Sequence, residues 1–155
     1  MIKDLFEENK ISYQKTVVPQ QLSDLKLDDR ILEYLSCMGK DLKFYVSEYG
    51  VASTTLFSVE TILEEAFDEY NKPCIENGYL IIGNGPNGDL LCVDIKKGTV
   101  GYAYHDELWE GSFGDFSSIY IGMPILLEKF IEMMLNDKNN YPFDGYEAEK
   151  YIDNS

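Results

Sequence analysis

Residues 78–107 read GYLIIGNGPNGDLLCVDIKKGTVGYAYHDE, and they decide the fold. Three runs rich in β-branched and aromatic side chains lie within them, at 78–82, 90–95 and 99–104. Such runs, bounded by Gly and Asn clusters, read as strands. The first link is GNGPNGD, residues 83–89, and the second is Lys96-Lys97-Gly98. Both are far too short for a parallel crossover, which takes roughly a dozen residues or more, so the strands are expected to pair as antiparallel hairpins.

Helical patterns lie on both sides. Val59, Ile62, Leu63, Ala66, Phe67 and Tyr70 recur at helical spacing, with Ser58 as the cap, and predict a helix over 59–70. Its other side carries Glu60, Glu64, Glu65, Asp68 and Glu69. Asp68 and Glu69 would then oppose the helix dipole at its C-terminal end. Further helices are expected at residues 2–8, after the capping residue Asp28 up to Gly39, and from Gly122 with Pro124 in the first turn. Residues 10–18 before Pro19 and 116–119 read as strands, 42–47 as a short strand or a helical turn, and Tyr49-Gly50 as a turn. The expectation is one α+β domain over residues 1–138. It has a mixed, mostly antiparallel sheet of about five or six strands and about four helices. Residues 139–155 form a polar tail expected to pack loosely.

Composition narrows the function classes. The 155 residues carry 28 acids against 13 Lys and Arg, a net charge of −15. A nucleic-acid binder needs a basic face to displace counterions, and an anionic membrane repels an acidic one. The balance favours a basic partner. No run approaches the roughly 18 apolar residues of a membrane span, and the acidic start MIKDLFEE is unlike a signal peptide. A cytoplasmic protein is expected. Cys37, Cys74 and Cys92 are too scattered for a disulfide framework or a zinc site and read as small buried residues.

Catalytic signatures are weak. His105 is the single histidine and reads as a strand-end residue. No GxSxG elbow presents a serine. The 83–89 loop lacks the GK[ST] ending of a phosphate loop and leads into a strand, so a turn with positive φ at Gly85 or Gly88 is expected. Neither a catalytic residue, a metal nor a cofactor is assigned.

Charge distribution is more informative. Residues 44–71 contain no Lys or Arg but hold Glu48, Glu60, Glu64, Glu65, Asp68 and Glu69. Residues 98–128 repeat this with Asp106, Glu107, Glu110, Asp115 and Glu128, amid Tyr102, Tyr104, Trp109, Phe113, Phe116 and Tyr120. Aromatic anchors among acids suit a docking patch for a basic protein. The plainer reading is a solvated acidic face over core aromatics.

The central segment also resembles the SUKH superfamily, which includes yeast cell-wall assembly regulators and bacterial immunity proteins. The matches are Ile82-Gly83, Gly88-Asp89, Cys92-Val93-Asp94, Gly98, Val100 and His105-Asp106-Glu107, followed by Ser117-Ser118-Ile119 and a helix ending near Leu135. They cover residues 56–135. The first part of the chain lacks the family's LP-x-[DE]-[FYL] entry and offers only Glu48-Tyr49-Gly50 for its YGG. The resemblance implies a non-enzymatic protein that neutralises a cognate toxin, here one with a basic, nuclease-type domain, by binding it. Candidate contact residues are Glu64, Glu65, Asp68 and Glu69, with Asp106, Glu107, Trp109 and Glu110. Gly83, Gly88, Asp89, Asp94, Gly98 and Val100 are assigned to the scaffold. Two alternatives stand: a regulatory or scaffold protein with a housekeeping partner, and a small-ligand binder or enzyme using the 83–89 loop. An acidic mimic of DNA lies further off.

Overall fold

The computed structural model of the protein describes residues 2–46 and 52–154, so the turn expected at Tyr49-Gly50, Ser47 and the acid Glu48 lie outside them. Six strands form one sheet in the order of the sequence: β1 Leu42–Tyr45, β2 Ser53–Leu56, β3 Tyr79–Asn84, β4 Leu90–Asp94, β5 Thr99–Ala103 and β6 Tyr120–Leu126. Every neighbouring pair is antiparallel. The sheet is thus a meander rather than mixed. The one parallel pairing among the described residues is an isolated bridge, Gln14 to Met38. Among the described residues eight helices accompany the sheet: α1 Ile2–Glu8, α2 Gln20–Ser23, α3 Asp29–Ser36, α4 Val59–Phe67, α5 Lys72–Glu76, α6 His105–Glu110, α7 Leu127–Asn136 and α8 Gly145–Asp153. The α+β class holds, with more helices than the four expected. Three of the extra ones, α2, α5 and α6, span four to six residues and carry too little of the helical period to show as a pattern.

The three central strands lie where the 78–107 segment puts them. Leu90, Leu91, Cys92 and Val93 are all buried, so β4 is covered on both faces. Helices α4 and α5 pack on β3, α8 packs on β5 and β6, and α1 lies against α3 and α7. In the link between β3 and β4, Gly88 has φ of 94° and donates to the Gly85 carbonyl at 3.0 Å. The positive φ is therefore at Gly88 and not at Gly85.

Three elements differ from the sequence reading. Residues 10–18 form no strand, because their backbone docks on the end of α3 instead of a sheet edge: Thr16 N–H donates to Ser36, and Gly39 N–H to Gln14. Residues 116–118 form a 3-10 turn, and the strand follows it as β6, which holds Gly122 and Pro124. Pro124 is accommodated because β6 is an edge strand whose register with β5 shifts between Thr99 and Gly101. The last expected helix therefore begins at Leu127. Helix α4 ends at Phe67, and Asp68 turns to an extended conformation. Phe67 and Tyr70 are consequently exposed instead of completing the apolar face.

The tail is the largest correction. Beyond Lys138, Tyr141 and Ala148 are fully part of the core, and Tyr102 Oη donates to the Pro142 carbonyl at 2.8 Å. The hydroxyls of Tyr141 and Thr54 pair in the interior. A polar average hid a few well-placed apolar anchors.

Gly83 shows how tightly the meander closes. A Cβ at this position would overlap the carbonyl oxygen of Thr55 on β2. Gly83→Ala is expected to lower stability by about 1–3 kcal/mol, the usual cost of overpacking, as read by urea unfolding.

Candidate functional site

Asp68 closes α4 and starts the next turn. Its Oδ2 accepts from the backbone N–H groups of Tyr70, at 2.9 Å, and Asn71, at 3.2 Å. The carboxylate thus caps a turn leading into α5, while Glu64 and Glu65 in the last turn of α4, with no basic residue there, still oppose its dipole. The same turn brings Asn71 inward, where it is buried to 3% exposure.

A buried amide needs partners for both ends, and Asn71 finds them on two different helices. Its Nδ2 donates to Glu65 Oε2 of α4 at 2.7 Å. Its Oδ1 accepts from Trp109 Nε1 of α6 at 2.8 Å. The two candidate sets, remote in sequence, are stitched together by one residue. Glu65, Asp68, Tyr70, Asn71 and Trp109 line an open concavity of ≈ 320 Å³. Trp109 stays 46% exposed and Tyr70 63%, so two large aromatic side chains of the concavity stand in water. Burial, then the charges of Asp68 and Glu64, pushes the Glu65 carboxyl above its ordinary range, with the Asn71 hydrogen bond opposing. Among the described residues no ion pair reaches Glu65 or Asp68.

A second cluster adjoins the first. His105 Nδ1 lies 2.8 Å from Asp89 Oδ1, and Nε2 lies 3.1 Å from Asp106 Oδ1. The His105 ring meets Trp109 edge-on, with centroids 5.2 Å apart. Asn87, Tyr104, Glu107 and Tyr146 complete a shallow cavity of ≈ 300 Å³ around these groups. Asp89 is 2% exposed and also accepts from Gly145 N–H at 3.0 Å and Asn87 Nδ2 at 3.1 Å. It therefore fixes more than its own turn: it joins the 83–89 loop, the start of α6 and the start of α8.

The remaining candidates divide. Glu64 is exposed on α4 and Glu69 just after it, and Glu107 and Glu110 are exposed on α6. Asp94 caps the second hairpin by accepting from Lys96 and Lys97 N–H, each at 2.9 Å. Gly98 follows with φ of 75°, and Val100 is buried in β5. The loop 83–89 spends its amides on itself: Gly85 donates to the Asp89 carbonyl, Gly88 to Gly85, and Asp89 to the Asn87 side chain. A phosphate would find those donors occupied.

Asn71 and Tyr70 were not singled out by sequence reasoning. The signal available was Asn71 two residues before Pro73, an arrangement typical of a helix start. It marks a cap and says nothing of Trp109. The three cysteines are buried and free, and the Cys92 thiol is pushed up by burial and by the neighbouring Cys74 thiol. Among the described residues, no group of three or more His, Cys, Asp or Glu side chains is arranged to hold a metal ion, and no helix is long and apolar enough to cross a membrane. No family model, curated protein or solved structure matches the chain.

Proposed function

We propose that this chain is a non-enzymatic binding protein of the immunity type, which neutralises a basic, nuclease-type toxin domain by direct contact in the cytoplasm. The observation that carries the reading is the Glu65–Asn71–Trp109 hydrogen-bond chain. It presents an exposed tryptophan and tyrosine beside carboxylates that have no counter-cation among the described residues. An acidic field of this size, −15 over the whole chain, steers a basic partner in, and an aromatic anchor slows its departure. Of the SUKH-like motif residues, Gly88, Asp94 and Gly98 build the hairpin turns, while Asp106 and Glu107 lie exposed on α6 among the candidate contacts. Free, buried thiols suit a reducing compartment.

The test is co-expression with a toxin domain encoded beside the gene. Survival of the host and one-to-one binding by calorimetry are the expected results. Trp109→Ala is expected to weaken that binding by about 30-fold or more, the range of an interface hot spot. Absence of both rescue and binding would overturn the proposal.

A further inference from the structure

Resting on the reading of this face as the docking surface for a basic partner, we infer that the concavity between α4 and α6 accepts an arginine side chain. Its polar wall is two carboxylates, each anchored through one oxygen only. Glu65 is held through Oε2 by Asn71, and Asp68 through Oδ2 by two backbone amides. Among the described residues, Glu65 Oε1 and Asp68 Oδ1 take part in no hydrogen bond. Both carboxylates line the same open space of ≈ 320 Å³, and each is held through one oxygen with the other left as a spare acceptor.

Its apolar wall is Trp109 and Tyr70, both well exposed. The tryptophan's hydrogen-bonding edge is already used by Asn71, which leaves ring surface for the occupant. A guanidinium suits both walls. It is planar, stacks on aromatic rings, carries several donors in a fixed fork and sheds water more readily than an ammonium. Lysine offers one compact, strongly hydrated charge that cannot bridge two separated acceptors while lying on a ring.

Trp109 is the single tryptophan of the chain, so its emission reports on this concavity and on the His105 ring beside it. The experiment titrates the full-length protein with hexa-arginine and hexa-lysine peptides at low salt, following both emission and heat. Hexa-arginine is expected to change the Trp109 emission and to bind about fivefold more tightly than hexa-lysine, the scale of an added cation–π contact. Glu65→Gln, which keeps the acceptor for Asn71, is expected to remove that preference. Asp68→Asn serves as a second variant if circular dichroism shows the first misfolded.

Equal affinities accompanied by an emission change would overturn the arginine assignment. Heat of binding without an emission change would place the cations elsewhere and overturn the site, leaving the basic-partner reading standing. No binding of either peptide would count against both.

Discussion

Asp89→Ala is expected to cost about 3–5 kcal/mol of stability, the range for breaking a buried, hydrogen-bonded charge. Asp89 is almost fully enclosed, and its two oxygens serve four groups from three parts of the chain: Asn87, the His105 backbone and ring, and Gly145. Removing the carboxylate strands the Gly145 amide, which is itself buried. It also releases His105, and with it the edge contact to Trp109. Urea unfolding measures the loss, and limited proteolysis locates it: new cleavage is expected in residues 139–154 before the sheet is attacked. Asp89→Asn keeps an acceptor and should lose less. A cost under about 1 kcal/mol for Asp89→Ala would mean that the three elements are held together by packing instead.

The second large effect concerns arrival of the partner. Reversing Glu64 and Glu65 of α4, its cap Asp68 and the following Glu69 to Lys is expected to slow association with a basic partner. Asp68 and Glu65 also hold local structure, however, so that variant mixes field with fold. Glu64→Lys with Glu69→Lys separates them, because neither carboxylate makes a hydrogen bond or ion pair among the described residues. Association measured by stopped flow is expected to fall about tenfold at low ionic strength, with dissociation little changed. The difference should shrink as salt shortens the screening length to about 10 Å near 0.1 M. An unchanged rate and salt dependence would remove this helix from the path of approach.

Sequence periodicity carried the fold well where elements are long or tightly linked. Residues 78–107 show their hairpins because two Gly-containing links leave no room for a crossover. It failed where one residue type serves two geometries. Pro124 suits a helix's first turn and an edge strand alike, and only the ladder with β5 decides between them. Phe67 and Tyr70 continue a helical stripe on paper, but Asp68 ends the helix first.

The candidate site was half legible. Its acids and Trp109 stand out by composition, since charge and aromatic clustering are visible without coordinates. The link between them is not. Asn71 acts through both ends of a side-chain amide, and a lone asparagine shows no pattern that names its partners. His105 reads as a strand-end residue but opens α6, and its two carboxylate neighbours come from Asp89, sixteen residues away, and from the adjacent Asp106.

The pairing of Thr54 with Tyr141 spans 87 residues, and the Asp89 bond to Gly145 spans 56. The meander itself needs only neighbours and can zip in the order of synthesis. Its cover cannot. Until Tyr141 and Ala148 have left the ribosome, a nascent chain holds a sheet whose interior is still wet. The segment that finishes the core is thus a timer: the acidic face takes its final shape only after residues 141–148 have been made.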